Sequence, residues 1–121
     1  MNKLLTTIIL LCFSVAANAD VYFCTTEAGS SVHVSGDNFS DGGINYDGQT
    51  YIIDTTKGFR STDIDSYDGS CEEKGMFIRC GKNSPTTESV IVVHADKLTF
   101  TYTLVICDWF ANAGAGTCTK A

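Results

Sequence analysis

The side chains able to do acid–base or nucleophilic chemistry are few. The only imidazoles are His33 and His94, each in an alternating context, Val32-His33-Val34 and Val93-His94-Ala95. A Ser or Cys nucleophile needs a base within hydrogen-bond reach and a third group to orient that base. Neither histidine accompanies a nucleophile elbow, and the chain contains no phosphate-cradling glycine loop and no zinc spacing. Both read as strand residues, His33 facing solvent opposite its valine neighbours and His94 at a strand end. The expectation is a protein that is not an enzyme, with no catalytic residue, no metal and no cofactor.

Clustered carboxylates suggest calcium at first sight. Asp63-Ile64-Asp65-Ser66-Tyr67-Asp68-Gly69 gathers acids in a turn, which is what a hard cation requires. Against the calcium-loop pattern, however, Tyr67 replaces an oxygen ligand, Asp68 replaces the glycine and Lys74 replaces the bidentate Glu. The segment therefore reads as a solvated acidic loop, and the looser set Asp37, Asp41, Asn45 and Asp47 reads the same way. The remaining chemical signal is aromatic. Trp109 and Phe110 stand beside small residues in Asp108-Trp109-Phe110-Ala111-Asn112-Ala113-Gly114, read as a loop. They are candidate partner contacts, or else a lid over the core.

These residues must be positioned by β-structure. From Lys97 to Cys107, Leu98, Phe100, Tyr102, Leu104 and Ile106 share one face, and Thr99, Thr101, Thr103 and Val105 share the other. That period of two predicts a half-buried antiparallel strand. Further strands are expected at Val21 to Thr26, Ser31 to Ser35, Gln49 to Thr55, Phe59 to Ile64, Met76 to Cys80 and Ser89 to His94. The turn signals between them include Ala28-Gly29, Gly42-Gly43, Asp47-Gly48, Lys57-Gly58, Asp68-Gly69 and Lys74-Gly75. Gly81 to Glu88 reads as a loop. Short strands without crossover helices predict an all-β fold, a small antiparallel meander closing as a barrel, with a sandwich as the alternative.

The first residues have a different character. Lys3 precedes an apolar run from Leu4 to Val15, followed by Ala17-Asn18-Ala19, the layout of a secretory signal peptide cleaved after Ala19. Removing 19 of 121 residues leaves 102, enough for a single domain from Asp20 to Ala121. The expected location is periplasmic or secreted. Nothing after the leader is long and apolar enough to span a membrane as a helix. The whole chain has 8 basic and 14 acidic residues, a net charge of -6 that becomes -7 once Lys3 is removed. That balance argues against a nucleic-acid partner, whose phosphates demand Lys and Arg.

Cys12 leaves with the leader, so five of the six cysteines remain: Cys24, Cys71, Cys80, Cys107 and Cys118. Export makes disulfides the default and leaves one thiol over. Cys71 and Cys80 flank Lys74-Gly75 and are expected to face each other across a hairpin. For Cys118 two partners compete, Cys24 across the whole chain and Cys107 across the following loop. Cys107 ends the strongest strand, which suggests a buried thiol packed as a small hydrophobe.

Val21-Tyr22-Phe23-Cys24 at the start and Gly116-Thr117-Cys118-Thr119-Lys120 at the end resemble small exported β-proteins of bacteria. More remotely, this layout of an early Tyr-x-Cys and a C-terminal Gly-Thr-Cys is similar to the periplasmic inhibitors of C-type lysozyme. The resemblance implies a small barrel and a Cys24–Cys118 bond, with Cys107 free. That family's contact segments are a Ser-Gly followed by Tyr and a Trp-x-Lys-Gly stretch. Here Ser35-Gly36 leads into Asp37-Asn38 and Trp109 into Phe110-Ala111, so only the framework cysteines carry over. The expected function is a non-catalytic binding module that masks or inhibits a protein partner such as a cell-wall hydrolase. Its competitors are a barrel for a small apolar ligand and a structural envelope protein without a discrete site.

Overall fold

The computed structural model describes residues 19–35, 38–44, 48–107 and 110–121; the expected leader, residues 1–19, falls outside them except for Ala19, and Trp109 lies outside them too. The described chain is all-β. Nine strands follow one another: β1 (Val21–Ser35), β2 (Asn38–Ile44), β3 (Thr50–Asp54), β4 (Gly58–Ser61), β5 (Ser70–Lys74), β6 (Phe77–Asn83), β7 (Thr87–His94), β8 (Thr99–Ile106) and β9 (Phe110–Lys120). Eight form one antiparallel path, β4-β3-β1-β9-β8-β7-β6-β5, nearly closed as a barrel. The seam is stitched by one bridge, in which Phe59 N–H donates to Asp68 O (2.9 Å) and Asp68 N–H to Phe59 O (2.8 Å).

β1 is shared between two partners along one edge. Val21 to Thr25 pair with β3, and Ser30 to Ser35 pair with β2, while the other edge runs along β9 throughout. The Ala28-Gly29 turn expected from sequence is instead a bulge between Thr26 and Ala28, so two expected strands are one. A bulge inserts a residue and sharpens the twist without ending the ladder, so its composition resembles that of a turn. Gly42-Gly43, also expected as a turn, lies within β2. The stretch expected as a loop before Cys118 is β9 from Phe110 onward. Gly81 to Asn83 extend β6 and Thr87-Glu88 open β7, which shortens the expected loop between them to Ser84–Thr86.

Alternation sorts the side chains. On β8, Phe100, Tyr102, Leu104 and Ile106 point into the barrel and Thr99, Thr101, Thr103 and Val105 point out. The core gathers Tyr22, Cys24, Ile53, Ile78, Cys80, Ile91, Val93, Phe100 and Cys118, with Leu98 and Ala95 packed against it. These residues occupy the end of the barrel where β1, β4, β6 and β8 begin, which we call the filled end. Both disulfides join residues directly opposite on neighbouring strands, Cys24–Cys118 between β1 and β9 and Cys71–Cys80 across the β5–β6 hairpin. Cys107 is free and exposed, not buried. It continues the outward series Thr101, Thr103, Val105, and the period of two carries it to solvent.

Candidate functional site

Near the opposite end the lumen turns polar. Residues facing inward there include Ser31 of β1, Ser89 of β7, Leu104 of β8 and Asn112 of β9, in register across the sheet. Beneath them lie three rings, Tyr51, Phe59 and Tyr102. Tyr51 stands 5.7 Å from Tyr102 and 6.3 Å from Phe100, centroid to centroid. A recess of about 180 Å³ opens above the rings, lined by Gln49, Tyr51, Phe59, Ser89, Tyr102 and Asn112 among others. Phe59 is also a wall of two adjoining depressions, about 270 Å³ toward Lys82 and Thr87 and about 210 Å³ toward Ser61 and Ile64.

The rings are placed by glycine. Gly114 and Gly116 of β9 face inward opposite Tyr102 and Phe100 of β8. A Cβ at Gly114 would collide with the Tyr102 ring, and one at Gly116 would strike the Thr25 carbonyl and crowd Phe100. Each aromatic thus packs against a residue that has no side chain, which lets a narrow barrel hold two large rings on one strand.

Three buried side-chain atoms of residues bordering these spaces have no hydrogen-bond partner among the described residues, Asn112 Oδ1 beside the ring recess and Arg60 Nε and Ser61 Oγ beside its neighbour. One ion pair stands at the rim. Lys82 Nζ donates to Asp68 Oδ2 at 2.6 Å, and this lysine holds the Asp68 carboxyl below its ordinary range. Arg60 Nη1 donates to Ile64 O at 2.8 Å, and its guanidinium lies over the Tyr67 ring at 5.3 Å, with Lys57 at 5.7 Å from the same ring.

The histidines stand at opposite ends. His33 is exposed at the polar end, stacked on Phe110 with ring centroids 6.0 Å apart. His94 is at the filled end, edge-on to Phe77 at 5.1 Å, its Nδ1 accepting from Lys97 N–H at 3.2 Å. In the acidic loop Asp63 and Asp65 are exposed while Asp68 is committed to Lys82. Phe110, half-buried, opens β9 at the polar end.

Outside the barrel, Val32, Ala111 and Val105 form a cross-strand row over β1, β9 and β8. Val32 and Val105 are 45% and 46% exposed, and Cys107 follows on the same face. A larger depression of about 640 Å³ lies over β5 to β7, with Arg79, Gly81 and Asn83 on the outward face of its floor.

Sequence reasoning singled out Phe110, which is not among the residues lining the recess, and missed Tyr51, Phe59, Tyr102, Ser89 and Asn112 as a group. The available signal was the Ala-Gly-Ala-Gly alternation of residues 113–116, a strand pattern with glycine as its inward residue. Comparison with known proteins finds no matching family model, no similar curated protein and no similar solved structure.

Proposed function

We propose that the chain is an exported, non-catalytic binding module that occupies a protein partner, a cationic cell-wall hydrolase being the class that fits its charge. The observation that carries this reading is the contrast between the two ends. The filled end is packed and stapled, and the lumen recess at the other end, about 180 Å³, is smaller than the roughly 300–1,000 Å³ of drug-sized ligand pockets. A barrel serving a small apolar ligand would leave its interior open where Phe100 and Tyr102 fill this one. The row Val32-Ala111-Val105 supplies an exposed apolar strip beside the polar end, and the acidic balance favours a basic partner.

The test is affinity capture from cell-envelope extract with the immobilised chain from Asp20. A basic protein retained at about 0.15 M salt, where exposed charges are screened beyond about 8 Å, is the expected result. Retention of no protein would overturn the reading.

A further inference from the structure

We infer that the outer edge of β5 takes up an extended peptide segment as an added strand, and that this segment carries two adjacent basic residues. β5 (Ser70–Lys74) ends the strand path. The strand at the other end, β4, has its edge occupied: Phe59 exchanges hydrogen bonds with Asp68, and Ser61 O accepts from Ile64 N–H at 3.2 Å. The seam stops at two glycines. A Cβ on Gly58 would collide with the Asp68 and Gly69 carbonyls, and Gly69 turns away at φ +64°. Because β4 begins at Gly58, one residue before the bridge, it has no residue left to set against Cys71 or Glu73.

The phase of the ladder decides which backbone groups are free. Lys74 and Phe77 close a two-residue turn as a hydrogen-bonded pair, so Glu72 with Arg79 and Ser70 with Gly81 are bonded in the same way. Met76 O accepts from Ala95 N–H at 2.9 Å, which assigns the even positions of β6 to β7 and leaves the odd ones to β5. The N–H and C=O of Cys71 and Glu73 therefore point away from β6, and no other described backbone group bonds them. An added strand pairs with such a set of groups.

Charge selects the occupant. Glu72 and Glu73 point to opposite faces of the ribbon, so two consecutive basic residues on the added strand set one cation against each. Glu72 has Lys74 Nζ at 3.5 Å and Arg79 Nη1 at 3.9 Å, while Glu73 has no ion pair among the described residues. Of the cations near the seam, Lys57 lies over the Tyr67 ring and Lys82 is bonded to Asp68. The same acids disfavour a second copy. A twofold pairing centred on residue 72 opposes Glu72 to Glu72, one centred on residue 73 opposes Glu73 to Glu73, and one centred on residue 71 runs into Gly58 at the seam.

The experiment is a ¹H–¹⁵N titration of the chain from Asp20 with the synthetic peptide acetyl-Thr-Val-Lys-Lys-Val-Thr-amide. Salt at about 0.15 M screens the long-range pull of an acidic chain. Two comparison peptides carry Glu-Glu in place of Lys-Lys, or proline in place of both valines, which keeps the charge and removes a donor from each edge. Saturable shifts centred on the Cys71 and Glu73 amides are expected, with slowed hydrogen exchange at those two N–H groups and at least tenfold weaker binding of both comparison peptides. Glu73→Pro removes only an N–H that faces away from β6, which an edge strand tolerates, and abolishes binding while the spectrum stays dispersed. Glu73→Lys keeps that N–H and weakens binding at least tenfold. No saturable shift, shifts without protection at Cys71 and Glu73, equal binding of the proline peptide, or unchanged binding by a folded variant would each overturn the inference. So would shifts of these amides on dilution of the protein alone, which would give the edge to a second copy. The apolar strip lies on β1, β9 and β8 and the peptide is read by itself, so failure here leaves the partner reading intact.

Discussion

The Tyr102 ring lies against Gly114 on the neighbouring strand, so closely that a single methyl group there would overlap it. Gly114→Ala is therefore an overpacking change and is expected to cost about 2 kcal/mol. Gly81→Ala is the control, since its Cβ would meet Ser89 O at an ordinary 3.6 Å, and it should change stability by no more than about 0.5 kcal/mol. Urea unfolding of the two variants measures the difference. Equal stability would mean that Tyr102 has room to move.

That relationship also explains what was legible. The alternation of Phe100, Tyr102, Leu104 and Ile106 announced β8 because period two is a property of the residues themselves. The alternation Ala113-Gly114-Ala115-Gly116 has the same period, but it carries so little hydrophobic contrast that it reads as loop until the aromatic partners on β8 are known. Likewise Ala28-Gly29 marks a bulge or a turn equally well, and only pairing with Ala115 and Gly114 decides between them. For Cys107 the apolar neighbour Ile106 suggests burial, but parity decides: residue 107 shares the outward face of 101, 103 and 105. The candidate site was the least legible part, since Tyr51, Ser89, Tyr102 and Asn112 come from four strands and meet only through tertiary register.

The two disulfides are expected to differ in weight. Cys24–Cys118 spans 94 residues and Cys71–Cys80 spans 9. On the chain-entropy scale these loops correspond to about 4.7 and about 2.7 kcal/mol. Paired Cys→Ala variants, compared by denaturant midpoint, should place the long bond ahead by about 2 kcal/mol. A larger loss from removing Cys71–Cys80 would show that strain or packing outweighs loop closure.

Cys107 is exposed while the other four described cysteines are bonded. Native protein should take up one equivalent of maleimide, at the residue-107 peptide, without a fall in melting temperature. Non-reducing electrophoresis of untreated protein should show a dimer that alkylation prevents. A thiol that reacts only after unfolding would return Cys107 to the interior.

Asp54 contributes to the acid limb. Its burial opposes ionisation, but Thr56 Oγ1 and N–H donate to Oδ1 at 2.7 and 2.9 Å, Lys57 N–H donates at 3.1 Å and the Lys57 charge adds to them. The balance holds the carboxyl below its ordinary value. A folded-state pKa lowered in this way contributes stability above the unfolded value, near 3.9, and that contribution is lost as pH falls through the folded value. Asp54→Ala should cost about 2 kcal/mol at neutral pH, with the gap to the parent narrowing below about pH 4. A gap constant from pH 7 to pH 2 would contradict this assignment.

C-type lysozyme is expected to be inhibited weakly or not at all, because the framework cysteines are present while the Trp-x-Lys-Gly and Ser-Gly-Tyr contact segments are not. A turbidity assay with lysed cells reads this directly. Inhibition at nanomolar protein would place the inhibitory contacts in segments other than those two.

The central claim, that the polar end with its apolar strip carries the partner, is tested most directly by two matched surface changes. Val105 and Phe77 are each 46% exposed, Val105 on the strip at the polar end and Phe77 at the filled end. The measurement is the binding isotherm of the captured partner, purified, against the parent chain, Val105→Glu and Phe77→Ser. The account predicts at least a tenfold loss of affinity, about 1.4 kcal/mol, for Val105→Glu and an unchanged isotherm for Phe77→Ser. Equal affinities for all three chains, or a loss confined to Phe77→Ser, would contradict it.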